Sequence, residues 1–221
     1  MFHINTGKGM SFIPIMLPLQ EFDSSKLIME QPRKIKSSQP NIERTLSLFS
    51  YKNDLFIMSS LHLLTPFGKV HTWDFSTGKL EIDVGAKSIF YTKYTLFQST
   101  IVGLTNRIYP SKSSSYFHPM LFGTILTVYL YTTPPFQEKE TWFYSNSKWS
   151  SKLTNNSFQK GQSIRLGIQF QGVCFLHNLQ SKDCKYRLQH QVKAIYFQGS
   201  ERTENQGSER TFVSNHSPPE S

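Results

Sequence analysis

The chain has 221 residues, with 24 Lys and Arg against 15 Asp and Glu and a formal charge of +9. This length suits one domain with tails, and the charge favours a polyanion or an anionic membrane surface as partner. Two cysteines are too few for a disulfide-stapled secreted domain, and no stretch reaches the roughly 20 apolar residues of a bilayer span.

Residues 1–40 hold Pro14, Pro18, Pro32 and Pro40 and the basic cluster Arg33-Lys34-Ile35-Lys36. Proline at that density predicts an irregular N-terminal arm, and the cluster reads as a solvated linker. The apolar stretch Met10 to Leu19 is interrupted by Pro14 and Pro18 and lacks a small-residue cleavage site, unlike a signal peptide. Gly7-Lys8-Gly9 lacks the spacing of a phosphate-binding loop.

Residues 41–197 read as a β-rich domain. A short helix is expected near Leu55 to Leu64. Lys79 to Val84 alternates polar and apolar residues, the period of a half-buried strand. Ser88 to Val102, rich in Phe, Tyr, Thr and Ile, is expected to form two strands or one bent one. Leu121 to Tyr131 reads as a central strand, ended by Pro134-Pro135. Ile164 to Gln171 places Ile164, Leu166, Ile168 and Phe170 on an apolar face. Tyr186 to Phe197 repeats the scheme with Arg187, Gln189, Gln191 and Lys193 on the polar side. The turn-rich Asn178 to Asp183 joins these two segments in a hairpin. With no long segment of helical period, the expected fold is all-β: an antiparallel sandwich or jelly-roll-like barrel. Residues 198–221 are polar and repeat the unit Gln-Gly-Ser-Glu-Arg-Thr, which predicts a disordered tail.

Enzymatic signatures are scarce. Between Asp83 and Asp183 only Glu138 and Glu140 carry a carboxylate, against ten Lys and Arg. Paired-carboxylate chemistry has no second partner there outside one turn. No serine sits in a nucleophile-elbow pattern. Cys174, His177, Cys184 and His190 fall within 17 residues, but their spacing matches no standard zinc finger. No metal or other cofactor is therefore expected, and the chain reads as non-enzymatic.

The remaining candidate is a binding surface built from Lys87, Lys93, Arg107, Lys112, Trp142, Tyr144, Lys148, Trp149, Lys152, Lys160 and Arg165. Lysine and arginine neutralise phosphates, and exposed rings stack on unpaired bases. Trp142 to Lys152 is the densest segment, with four rings, two lysines and no carboxylate. The competing reading puts most of these rings in the core.

The order of elements over residues 79–176 resembles that of the thirty-kilodalton superfamily of plant-virus movement proteins. The likeness rests on Gly85-Ala86-Lys87-Ser88-Ile89 as a first strand and Ile101-Val102-Gly103-Leu104-Thr105-Asn106-Arg107 as a second. Asn106 stands where the family has Asp, and the Leu-to-Arg spacing is one residue short. The resemblance implies a jelly-roll-like core that binds single-stranded nucleic acid and acts at plasmodesmata. The expectation is thus an intracellular, viral-type protein whose partner is single-stranded nucleic acid or ribonucleoprotein, with a homo-oligomer and peripheral membrane contact open. A matrix or structural protein meeting an anionic membrane leaflet stays open as an alternative. So does an accessory module that binds a host protein through Pro134-Pro135-Phe136 or the tail.

Overall fold

The computed structural model describes residues 2–5, 10–13, 16–52, 57–108, 116–130, 141–145, 148–150, 153–181 and 183–198. In chain order, β1 (Phe2–Asn5) and β2 (Met10–Ile13) pair as a separate two-stranded ribbon. The short strands β3 (Leu17–Pro18), β4 (Leu27–Met29) and β5 (Arg33–Ile35) precede the long β6 (Ile42–Lys52). Next come β7 (Ile57–Met58), β8 (Leu61–Leu64), β9 (Gly68–Asp74) and β10 (Lys79–Asp83), then α1 (Ile89–Ile108). The chain continues through β11 (Tyr116–His118), β12 (Leu121–Phe122), β13 (Ile125–Tyr129), β14 (Trp142–Ser145) and β15 (Lys148–Ser150). It closes with the hairpin β16 (Ser163–Asn178) and β17 (Cys184–Phe197).

The main sheet runs in the order β12-β13-β10-β9-β16-β17-β14-β15, with the other strands attached along it. β16 is the hub. On one edge it pairs in succession with β9, β8 and β6, and on the other with β17. Its alternation is the reason: Ile164, Leu166, Ile168 and Phe170 are all 0% exposed, and burying each such side chain contributes about 1.5–3 kcal/mol. The expected Ile164 and Tyr186 strands and their hairpin are therefore present. In the connector, Asn178 Oδ1 accepts from the Gln180 and Ser181 amides. The expected strand at Lys79 to Val84 is β10, with Leu80 and Ile82 buried. The N-terminal segment 17–35 packs onto the body through Leu19 and Leu27 and pairs with β8 and β6.

The all-β sandwich or jelly-roll-like barrel is overturned. The fold is mixed, with one 20-residue helix on an open sheet that does not close into a barrel. The segment Ser88 to Val102, expected as strand, is most of that helix. Its buried positions are Phe90, Tyr94, Phe97, Gln98, Ile101 and Thr105, a spacing of three and four that belongs to one helix face. Ser88 caps it, its Oγ accepting from the Tyr91 amide at 2.9 Å. Residues 101–107, the second strand of the family comparison, are the final turns of the same helix.

Two smaller expectations also change. Within the segment expected as a central strand, Leu121 to Tyr129 is instead a hairpin at one end of the sheet path, because Gly123 adopts φ 58° and turns the chain between β12 and β13; Tyr131 lies outside the described residues. The short helix expected near Leu55 to Leu64 is replaced by β7 and β8. Pro134-Pro135, the Gly7-Lys8-Gly9 run and the repeated tail lie outside the described residues. Among the described residues no helix is long and apolar enough to cross a membrane.

Gln98 ties the helix to the hairpin. Its Oε1 accepts from the Met120 and Leu121 amides, both at 3.0 Å. Buried amides left without such an acceptor are costly, so this one side chain fixes where the β12 turn sits against α1.

Candidate nucleic-acid interface

Residues directly opposite one another in neighbouring strands share a face of a sheet. Across β5, β6, β16, β17 and β11 the register aligns Arg33, Leu46, Cys174, Arg187 and His118 in one row. The adjacent row is Ile35, Arg44, Leu176, Lys185 and Tyr116. With about 4.8 Å between strands, each row spans about 19 Å. The rows carry four cations and no carboxylate. Arg33, Lys185 and Arg187 are exposed, and Arg44 is half-buried.

The surroundings of these cations keep most of the charge available. Glu30 Oε2 approaches Arg33 at 4.0 Å on the rim, an exposed pair of small energetic weight. Glu43 is bound by Lys34 at 3.1 Å, and its register partner is His177, which alternation places on the opposite face from Cys174. Arg44 reaches the Cys174 sulfur at 3.8 Å, while its Nε is buried with no hydrogen-bond partner among the described residues.

Beside these rows a cleft of about 700 Å³ opens along the edge of β17. It lies between the stretch paired with β11, which ends at Arg187, and the stretch paired with β14, which begins at Ala194. Tyr116, Phe122 and Tyr129 wall it at 62%, 80% and 55% exposure. All three rings are thus open to solvent. Lys79 and Arg187 supply its cations, and Met120, Leu188 and His190 line its base. Lys79 Nζ also contacts Glu81 Oε1 at 2.5 Å.

Burial holds the His190 pKa down to about 4, with Arg187 adding to the effect and the contact to the Leu188 carbonyl opposing it. His62 is likewise held at about 4, by burial and then by the charge of Lys193. An unfolded histidine titrates near 6.5, so between about pH 6.5 and 4 the unfolded chain binds more protons than the folded one. Stability is then fully present above about pH 6.5 and is lost as pH falls toward 4. Urea midpoints taken from pH 7 to pH 4 should decline by the equivalent of roughly 3 kcal/mol for the more deeply buried His190, with a smaller share from the more solvent-screened His62. The double variant His62→Gln, His190→Gln should flatten that decline.

The sequence-based candidates are dispersed by the fold. Lys87 is exposed in the turn before α1, Lys93 is half-buried in α1, and Arg107 is exposed at its last turn. Lys160 is exposed in the turn before β16. Tyr144 is only 5% exposed and so offers no ring face to a base. Arg165 lies over the Phe67 and Tyr196 rings at 5.4 and 5.3 Å, a packing role that Tyr144 shares at 6.3 Å from Tyr196. Trp142 belongs to β14, and Lys148 and Trp149 to β15, at the far end of the sheet path. Lys112 and Lys152 lie outside the described residues.

Cys174, His177, Cys184 and His190 do not gather into one cluster. His177 pairs with Cys184, whereas Cys174 pairs with Arg187 and His190 with Phe170. Among the described residues no group of three or more His, Cys, Asp or Glu is placed to hold a metal ion.

Sequence reading passed over Arg33, Arg44, Lys185, Phe122 and Tyr129. Arg187 was legible as the polar side of its strand, but the rows that join it to the others depend on long-range register. No family model matches the chain, and no curated protein or solved structure matches it either.

Proposed function

We propose that this protein binds single-stranded nucleic acid across the outer face of β5, β6, β16, β17 and β11. The observation that carries this reading is the carboxylate-free pair of rows holding Arg33, Arg44, Lys185 and Arg187, flanked by the exposed Tyr116 ring. Arginine and lysine there engage phosphates, and the ring supplies a stacking surface for a base. Transport of nucleic acid between cells, which the family resemblance implies, would be one use of such binding.

Filter binding of single-stranded RNA at two salt concentrations tests the reading. Affinity should fall steeply as salt rises, and the double variant Arg44→Ala, Arg187→Ala should bind at least about tenfold more weakly at low salt. Its log-log salt slope should be shallower by about 1.4, because each lost phosphate contact removes about 0.7. Unchanged affinity and slope in that variant would sink the assignment of this face. If wild-type protein ignores RNA but floats with anionic liposomes and not with neutral ones, the surface belongs to the membrane alternative instead.

A further inference from the structure

We propose that the cleft beside β17 is a nucleotide pocket, taking one nucleobase with its phosphate either as a free nucleoside monophosphate or as the terminal nucleotide of a single strand. In the strand form it rests on the single-strand reading above; in the free form it stands on the cleft alone. The placement of the rings favours a planar ligand. Tyr116, Phe122 and Tyr129, three exposed aromatic residues from three different strands, all line this one cleft. Scattered apolar residues on a surface need no explanation, but rings converging on one concavity mark a binding site.

Size and charge suit a nucleotide as well. About 700 Å³ falls within the range of roughly 300–1,000 Å³ typical of small-molecule pockets. Among the described residues no carboxylate lines it, while Arg187 is exposed there and able to engage a phosphate bidentately. Lys79 adds a second cation, part of whose charge is answered by Glu81 at 2.5 Å.

The cleft also offers a polar group to a base edge. His190 Nδ1 lies 3.3 Å from the Leu188 carbonyl oxygen. A carbonyl only accepts, so Nδ1 carries the proton and the neutral ring keeps Nε2 as an acceptor. Such an acceptor suits the exocyclic amino group of adenine or cytosine. Arg187 is common to the cleft and to the basic rows, so a strand lying on the rows reaches the cleft at its edge.

Calorimetric titration with AMP tests the pocket, alongside binding of a linear single-stranded oligonucleotide and of the same sequence circularised. Wild-type protein should bind AMP, and Phe122→Ala and Tyr129→Ala should each weaken that binding about tenfold. Both side chains are exposed, and circular dichroism verifies that the variants fold. Circular strand, which has no end to insert, should bind both variants as it binds the wild type. A preference for linear over circular strand identifies the strand end as ligand. Equal affinity for the two forms, with AMP still bound, identifies the free nucleotide. AMP binding without binding of either strand removes the single-strand reading and leaves the pocket standing. Absence of AMP binding, with both strands bound equally by wild type and variants, overturns the pocket while leaving the basic face intact.

Discussion

Replacing Gly172 by alanine should cost about 3 kcal/mol or more, whereas the same replacement at Gly103 should stabilise the protein by about 0.5–1 kcal/mol. Gly172 sits in β16 just after a register shift, opposite Leu48 of β6 and Gln189 of β17. A Cβ there would overlap the Ser47 carbonyl oxygen and come within 2.9 Å of the Leu48 Cα. Those atoms are backbone in the paired β6 ladder, so no rotamer change relieves the clash. Ser47 is pinned further by its Oγ, which donates to the Glu30 carbonyl. Gly103 lies in α1 with nothing within 4 Å of its would-be Cβ, and alanine there reduces only the freedom of the unfolded chain. Urea denaturation of both variants checks the opposite signs. A Gly172→Ala protein as stable as the wild type would mean that β6 and β16 do not approach as closely as described.

Truncating Phe97 to alanine should cost about 3–5 kcal/mol, the other large effect. Phe97 is 0% exposed and joins three parts of the fold. Its ring lies 4.9 Å from Phe170 of β16, 5.7 Å from Tyr94 of its own helix, and 5.1 Å edge-on from Phe22 in the N-terminal segment. The loss combines transfer free energy with a cavity that a helix resting on a stiff sheet cannot collapse to fill. Near-ultraviolet circular dichroism should weaken together with the urea midpoint, because the aromatic packing is what the substitution removes. Leu96→Ala, one position along and 59% exposed, should change stability by less than about 0.5 kcal/mol.

The misreading of α1 has a definite physical origin. Phe, Tyr, Thr and Ile favour strands because of how they pack on a half-buried pleated surface, not through a strong backbone preference. In Ser88 to Val102 that composition drew the strand assignment. The spacing of Phe90, Tyr94, Phe97 and Ile101 and the Ser88 cap were the helical signals present in the same residues. The hairpin at Gly123 was hidden in a similar way, inside an apolar run that reads as continuous unless the glycine is weighted as a turn.

The candidate site was less legible than the fold. Basic and aromatic residues picked by local density, such as Tyr144 and Arg165, turn out to pack against Tyr196. Arg33, read as part of a linker, is a strand residue at the end of a basic row. Local density cannot separate core rings from surface rings, because both sit in equally aromatic strands.

By itself the sequence determined the strands whose period of two is unbroken, above all β10, β16 and β17, and the near absence of carboxylates from the central hundred residues. Those are local properties, set by alternation along a few residues and by composition. Only the tertiary structure decided that Ser88 to Val102 winds into a helix, since burial against β16 selects the face that its spacing offers. It also decided that Arg33, Arg44, Lys185, Arg187 and Tyr116 share one surface. Their proximity comes from register across five strands that are distant in the chain, and register is fixed by which faces must be buried together.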